Sequence, residues 1–563
     1  MPEVEFPDVW GAGALFAFGG IWGQTQARAE FVARLGATPG ELEWETPQRR
    51  KLLVKAELGG DDRFEVQAVM GDFLHLESSA GQPLIAVFSS WHTVVGLIPP
   101  GYQLELESEF AIPAAGRECF LSRDSRGRDV LALAQAAGQF ALAYAETAEE
   151  ARARALLGLE LDPMVVFERR QDAYRALPTC ADPGRLAILR KAYGVMGLHV
   201  FAAEGALTHA WATAGRVPAM EFRPADIPLL AMALNRFKPE LAAELVRSAL
   251  SAAKADGTYP DHLTVEGVPA GEAAAPGLAC AAWENFATTR DRARLEWAFP
   301  RLEKASHVLL AGRDQNANGL LEWQDHADGG ATEAGMPNSP RFQPGTRIDA
   351  VDLSVWAALD LFALVRMAAE LQRADKAEHW QRRAVWLANT IHSLHWDEAA
   401  GFFLDREQDG PVRPVRALTG FLPLLLPVVE PDRLRRLADA AKDPQGFGTV
   451  VPLPMVAAAD PRFDGDAWAG LVWPALACRV VRGFARHGRK QLAGRLGGAL
   501  LDEITARWRE TGCLWEFYDP LAITPPAACP RLGPPRHPPD PRKKLDNRAD
   551  AASTAAAVIM LLL

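Results

Sequence analysis

A chain of 563 residues, 49% hydrophobic and 23% charged, is long enough for two or three hydrophobic cores and has the make-up of a globular protein. Its net charge of −11, with no basic cluster beyond Arg542-Lys543-Lys544 in a proline-rich stretch, argues against nucleic acid or an anionic membrane as partner. Six scattered cysteines (119, 180, 280, 478, 513 and 529) lack metal-ligand spacing and predict reduced thiols in the cytoplasm.

Residues 1–145 read as β. The apolar run at 10–23 is glycine-broken, too short to span a bilayer, and preceded by Glu3 and Glu5 rather than the basic residues of a signal peptide. Short alternating or β-branched segments at 51–58, 63–69, 74–78, 83–89 and 102–110, punctuated by Gly, Asp and Pro, predict a β-sandwich. The run VLALAQAAGQFALAY at 130–144 predicts a strand pair turning at Gly138, and Trp91 and His92 are given a structural role. Near Glu146 the hydrophobic period changes from that of a strand to that of a helix. Residues 147–157 place Glu149 and Glu150 early and Arg152 and Arg154 late, the order a helix dipole favours. We read 146–162 as a linker helix between a β-sandwich domain, 1–145, and a helical domain, 163–563.

Helical patterns then follow one another at 163–177, 183–204, 225–235, 238–254, 273–287, 290–312, 348–373, 376–396, 415–426, 431–441, 466–485, 487–509 and 548–563. Nearly all-apolar segments such as 353–364 alternate with polar, Arg- and His-studded ones such as 379–396. That alternation predicts two concentric rings, an (α/α)6 barrel, and an overall α+β multidomain fold. An α-solenoid is the alternative, but no fixed-length repeat runs through the chain.

One stretch, 314–341 (DQNANGLLEWQDHADGGATEAGMPNSPR), carries no helical or strand period, and Gly and Pro punctuate it. A loop of this length between helices is usually functional or disordered, and Trp323 with Leu320 and Leu321 argues for order. Asp314, Asn316 and Asn318 stand at positions 1, 3 and 5 of a calcium-type loop, with Gly319 at 6, the Leu320 carbonyl at 7 and Asp325 at 12; Glu322 lies among them. The alternative is an Asx-rich turn without metal. Sixteen Trp against six Tyr is an unusual ratio, suited to rings that stack on sugars as well as to core filling. A proline-rich stretch at 524–548 reads as an irregular lid or long loop.

The run NGLLEW, then Glu333-Ala-Gly-Met-Pro337-Asn338-Ser339-Pro340-Arg341-Phe342, resembles the signature of glycoside hydrolase family 63, which holds processing α-glucosidases and the mannosylglycerate and glucosylglycerate hydrolases, with trehalases as relatives. Further resemblances follow in order: Ile348-Asp349-Ala-Val351-Asp352-Leu353, Trp468-Ala469-Gly470-Leu-Val472-Trp473-Pro474, and Glu516-Phe-Tyr518-Asp519-Pro520. The resemblance covers roughly residues 150–563 and implies an (α/α)6 barrel and inverting hydrolysis of a small α-glucoside or α-mannoside. Such enzymes use two carboxyls about 6.5–9.5 Å apart, one giving a proton to the leaving oxygen and one activating water.

By resemblance Glu516, flanked by the apolar rings of Trp515 and Phe517, is the base. The family's acid, an Asp directly before Asn-Ser-Pro-Arg, is Pro337 here, and its Arg after the first Trp is Ala469. Proline has no proton to give. Glu333, which matches a Glu beside the family's acid, is the first substitute; Asp349 and Asp328 follow, while Asp352 suits a helix end. Asp226 corresponds to a sugar-binding Asp, and Trp323, Asn338, Arg341, Trp468, Trp473, Trp515 and Tyr518 complete the expected sugar contacts. The competing function is a non-catalytic carbohydrate-binding protein on the same barrel. A lyase or phosphorylase is weaker, since no Gly-Ser cluster offers a phosphate site.

Overall fold

The structure is a computed structural model and describes residues 5–28, 31–45, 52–56, 63–102, 104–106, 111–113, 119–123, 130–216, 220–324, 334–343, 345–531 and 547–563. It divides into two compact units, Met1–Ala212 with Ala506–Leu514 and Leu562–Leu563, and Thr213–Thr505 with Trp515–Leu561.

Among the described residues the first unit contains two large antiparallel sheets and a two-stranded one, Val200–Phe201 with Trp211–Ala212. One large sheet has the strand order Leu15–Ala17, Val32–Leu35, Leu42–Glu45, Leu52–Ala56, Leu104–Leu106. The other runs Ala111–Pro113, Cys119–Arg123, Val130–Ala136, Gln139–Ala145, Thr93–Leu97, Pro83–Ser90, Phe73–Glu77, Glu65–Val69. Aromatic rings join the two: Trp44 stacks on Phe31 at 4.8 Å and meets Phe88 of the opposite sheet at 6.0 Å, while Phe16 lies 5.0 Å from Phe88. The hairpin around Gly138 forms as the alternation predicts, Val130 pairing with Ala145, with Ala137 and Gly138 both at positive φ. Gly96 is obligatory, because a Cβ there would stand 1.9 Å from the Ile85 carbonyl oxygen and 2.3 Å from the Phe140 ring. The short strands at 15–17, 32–35, 42–45 and 93–97 were not among the predicted segments; most carry too few residues for a period of two to register. Parts of the predicted segments 51–58 and 102–110 lie outside the described residues.

The expected linker contains helix Ala148–Gly158, whose N-cap Thr147 accepts from the Glu150 N–H. Its Ala151 and Ala155 pack on Val130, Ala132, Ala134, Ala143 and Ala145, so small residues let the helix lie close against the sheet. Helix Pro163–Arg175 sends Arg170 and Tyr174 to the buried Asp72, which accepts from both. Burial holds the Asp72 carboxyl above its ordinary range although Arg170 opposes this.

The second unit is helical. Ile227–Leu234 and Val351–Glu370 are buried nearly all round. Ala374–Leu394, packed along Val351–Glu370, buries only Trp380, Ala384, Leu387 and Ile391, a single face at helical spacing. Two predicted helices are corrected. Residues 415–426 form a 3-10 segment, Leu418–Leu425, because Gly420 and Pro423 interrupt an α-helix. The helix predicted at 466–485 starts at Pro474, where a missing N–H costs nothing, after a short turn Ala467–Ala469. A small sheet of Glu322–Gln324, Arg347–Asp349 and Arg406–Glu407 interrupts the helices and follows directly on the turn at 314–321. Among the described residues no helix is long and apolar enough to cross a membrane, and Cys180, Cys280, Cys478, Cys513 and Cys529 are free thiols.

Replacing Asp72 by Ala leaves Arg170 buried without its counter-charge. The expected cost is about 3–5 kcal/mol, read as a lower urea midpoint for the unfolding of this unit; a shift within error would show that solvent already compensates Arg170.

Candidate active site

The loop at 314–322 is a nest of side-chain caps. Both Asp314 oxygens accept from the Gly319 N–H at 3.2 and 3.1 Å, Asn316 Oδ1 from Asn318 N–H at 3.3 Å, and Asn318 Oδ1 from Leu320 N–H at 2.8 Å. Buried Glu322 takes the Gln315 and Asn316 N–H groups at 2.9 and 3.2 Å. Gly319 has φ +87°, a conformation that favours glycine, and a Cβ there would stand 2.2 Å from the outer edge of the Trp386 ring. Asp349, opposite Glu322 across the strand pair, accepts from Asn318 Nδ2 at 2.7 Å, while its other oxygen is buried without a partner. Burial and, in part, the Glu322 charge push the Asp349 carboxyl up to about 6. Among the described residues no three His, Cys, Asp or Glu side chains gather as a metal site. The donors are nevertheless all hard oxygens, the kind calcium takes, and one buried Asp349 oxygen has no partner, while Asp314, Asn316 and Asn318 already accept backbone N–H groups.

Downstream, Arg341 is fully buried. Its NH1 and NH2 donate to Asp352 at 2.7 and 2.8 Å, and its Nε and NH2 to Asp405 at 2.6 and 3.1 Å. Asp352 also accepts from the Trp323 indole at 3.0 Å, and Asp405 caps the Val351 N–H at 2.9 Å. Against its burial, Arg341 holds the Asp405 carboxyl below the usual range. From the same loop, Asn338 donates to the Asp466 carbonyl at 3.0 Å and accepts from Trp468 N–H at 3.2 Å, tying residues 336–340 to the turn at 466–468.

That turn adjoins Glu516. Trp468 packs edge-on against Phe517 at 5.2 Å and against Trp473 at 6.2 Å, and the indole N–H groups of both tryptophans are buried without a partner. The Glu516 segment is fixed along its backbone. Asn547 exchanges hydrogen bonds with Phe517 at 3.2 and 2.8 Å, Glu516 N–H donates to the Arg548 carbonyl at 3.0 Å, and Thr554 donates to the Trp515 carbonyl at 2.7 Å. Glu516 itself is 6% exposed. Arg531 donates to its Oε2 at 2.7 Å from a position over the Trp468 ring, and Arg548 Nε stands 3.8 Å from the same oxygen. No protein group among those described bonds to Oε1.

Asp226 shares this electrostatic neighbourhood. It ends the Pro224–Asp226 turn ahead of Ile227–Leu234 and keeps part of its surface open, although packed chain surrounds it on most sides. Burial is the main force pushing its carboxyl up to about 6; Glu516 and Asp261 add to the push, and Arg223 and Arg548 oppose it. Arg223 is committed elsewhere, bonding Asp261 at 2.8 and 3.0 Å and Glu221 at 3.0 Å. The Asp226 carboxyl makes no hydrogen bond or ion pair to a described residue.

With this geometry in hand, the chain was compared with known proteins. A sequence profile described as the mannosylglycerate hydrolase MGH1-like glycoside hydrolase domain matches residues 223–523. The chain belongs to this family. Among curated relatives, an uncharacterized protein of Borreliella burgdorferi is 25% identical over 256 residues, 44% of this chain and 52% of that protein. A probable mannosyl-oligosaccharide glucosidase of Schizosaccharomyces pombe is 23% identical over 206 residues, 33% of this chain and 26% of the relative. The chain thus spans about half, or less, of the curated relatives it matches. The solved family 63 mannosylglycerate hydrolase of Thermus thermophilus, in complex with glucose, superposes with TM-score 0.53 at 20% identity, covering 66% of this chain and 98% of that one. A bacterial glucoamylase complexed with acarbose gives TM-score 0.58 at 11% identity over 99% of this chain and 94% of that one. At these identities the likeness is one of fold.

The structure of this MGH1-like chain sorts the predicted site residues. Glu516, Trp468, Trp473 and Asn338 belong to one region, connected by the contacts above; no contact among the described residues joins Asp226 to them, and it feels Glu516 only as a charge. Arg341, expected at the sugar, is instead fully buried between Asp352 and Asp405, and Trp323, 5% exposed, gives its indole N–H to Asp352. Tyr518 is likewise fully buried, its backbone paired with Val472 and its hydroxyl accepting from Trp515 N–H at 3.1 Å. Trp515 is 9% exposed. Glu333, Asp325 and Asp328 lie outside the described residues. Glu516 faces two guanidiniums rather than only the apolar rings beside it in sequence. Arg531, Arg548 and Asn547 were not expected from the sequence, because they sit in or next to a proline-rich stretch without periodicity; the only cue was polar Asp-Asn-Arg-Ala-Asp immediately before an apolar helix.

Arg341→Met should therefore act on the fold. Leaving Asp352 and Asp405 buried without a cation costs about 3–5 kcal/mol, seen as a large fall in Tm. A raised KM with unchanged Tm would instead return Arg341 to the sugar.

Proposed function

We propose that the protein is an inverting hydrolase of a small α-glucoside or α-mannoside, with Glu516 as the base. The observation that carries this reading is the division of the Glu516 carboxylate: Oε2 is held by Arg531 while Oε1 is left for a water molecule. Fixed on its backbone by Asn547 and Arg548, the carboxylate can orient that water toward the anomeric carbon and take its proton as the C–O bond forms. The unpartnered indole N–H groups of Trp468 and Trp473 offer donors to sugar hydroxyls beside it. Helices that alternate between burial all round and burial on one face support an (α/α)6 barrel, with Glu516 and Trp473 at helix-flanking loops of one unit. A cytoplasmic setting suits the free thiols.

A second reading, a carbohydrate-binding protein without turnover, rests on Pro337 and Ala469 at positions where the family signature carries Asp and Arg. Proton NMR on a panel of glucosylglycerate, mannosylglycerate, trehalose, kojibiose, nigerose and the α-glucosyl and α-mannosyl fluorides separates the two. The hydrolase reading expects a β-anomer to appear first and to vanish in Glu516→Gln. Sugar signals broadened by binding, with no turnover of any member of the panel, would establish the binding protein instead.

Calcium is the proposed ion of the loop formed by Asp314, Asn316, Asn318, the Leu320 carbonyl, Glu322 and Asp325, with Asp349 adding its free oxygen. It would tie the loop to the strand pair behind it and takes no part in the chemical step. Calcium should raise Tm by several degrees and chelator should reverse this, the effect shrinking in Asp314→Ala; an unchanged Tm in wild type would leave an Asx-turn loop without metal.

A further inference from the structure

We propose that the second unit carries a separate binding site for a neutral polyhydroxylated small molecule, a free monosaccharide or a polyol. The site is a cavity between helices Leu278–Thr289 and Arg292–Gly312, the loop at 257–276 and the strands at 322–324 and 347–349. It is distinct from the Glu516 region, since none of Glu516, Trp468, Trp473 and Asn338 lines it, and it needs no turnover there.

The cavity encloses about 280 Å³, at the small end of the range of ligand sites. Its walls are tied in place. The Tyr259 carbonyl accepts from the Ala273 N–H at 3.0 Å, which closes the loop at 257–276 on itself. Asp360, on the floor, accepts from the Gly277 N–H at 2.6 Å and the Cys280 N–H at 3.0 Å and so fixes the start of helix Leu278–Thr289. Arg347, at the strand side, bonds Gln324 at 2.5 Å and Glu322 at 3.4 Å.

Two hydroxyls inside are left over. Tyr259 is 5% exposed and Ser306 9%, both line the cavity, and neither hydroxyl has a hydrogen-bond partner. A hydroxyl shut away from bulk water and left unbonded is costly, so each calls for a partner inside the cavity. Burial, with the Asp360 charge adding to it, pushes the Tyr259 phenol up, and it stays a neutral donor and acceptor. Near the strands, Arg347 has spent two of its five N–H groups and the Gln315 amide has no partner. Between these polar groups lie Ala273, Ala274, Leu278, Leu302 and Leu309, apolar surface suited to the C–H faces of a sugar or polyol.

The charges at the edge are already matched, which is why the ligand is neutral. Arg347 is paired with Glu322, Glu272 stands 3.7 Å from Lys254, Asp360 is held by backbone amides, and Arg313 is engaged as well. A charged ligand would be desolvated here without a counter-charge of its own. Hydroxyl groups, which both give and accept, satisfy Tyr259 and Ser306 without that penalty.

Titration calorimetry on the full chain tests this, with D-glucose, D-mannose and glycerol as probes. Ala305, a half-buried lining residue, becomes a cavity-filling side chain in Ala305→Phe. That variant is expected to lose one saturable binding step, and Glu516→Gln to keep it. Tyr259→Phe, which removes only the hydroxyl, is expected to weaken the same step about 3- to 10-fold. Glucuronate and glucose 6-phosphate should bind several-fold more weakly than glucose. A step that survives Ala305→Phe but vanishes in Glu516→Gln would place the sugar at Glu516 and overturn the proposal. So would the absence of saturable binding of any neutral probe, which would leave a cavity filled by water, or tighter binding of the charged probes. Unchanged affinity in Tyr259→Phe would overturn it too, and that variant decides the matter if circular dichroism shows Ala305→Phe to be unfolded.

Discussion

The second unit depends on one buried cation. Arg341 has no exposed surface, and an unpaired guanidinium in that position would cost several kcal/mol. Asp352 and Asp405 remove the penalty only if the loop, the start of helix Val351–Glu370 and the turn at 405 all adopt one arrangement. Trp323 and the Val351 N–H complete the hydrogen bonding of the two carboxylates, which brings the strand Glu322–Gln324 into the same cluster. Asn338, three residues before Arg341, then carries the constraint outward. Its amide binds both ends of the turn beneath Trp468, and Trp468 is the ring over which Arg531 reaches Glu516. Glu516 is thus positioned by a chain of contacts that begins at the buried Arg341.

This ordering explains what could be read from the sequence. Helices announce themselves by period, so nearly all of the helical segments were legible to within a few residues, and so was the hairpin at Gly138. The exceptions have local causes. Residues 415–426 are apolar enough for a helix, yet Gly420 and Pro423 stop the α hydrogen bonds from forming. The strands before residue 50 are too short for alternation to accumulate. Motifs identified the family soundly and the roles of residues less so. Asn-Ser-Pro-Arg marks residues that the architecture requires, but sequence spacing does not say whether the need is for a ligand or for packing; for Arg341 it is packing. The charges that shape the site were the least visible. Arg531 and Arg548 come from irregular chain far along the sequence, and no period connects them to Glu516 or Asp226.

The same architecture shows how a proline at 337 is accommodated. Asn338 is pinned at both ends of its amide, so the backbone of the turn is held whatever stands before it. A proline there sacrifices a carboxyl without loosening the wall that supports Trp468. Glu516 draws its guanidinium neighbours and its backbone ties from Arg531, Asn547 and Arg548, a different part of the chain, so the surroundings of that carboxylate do not depend on what stands at position 337.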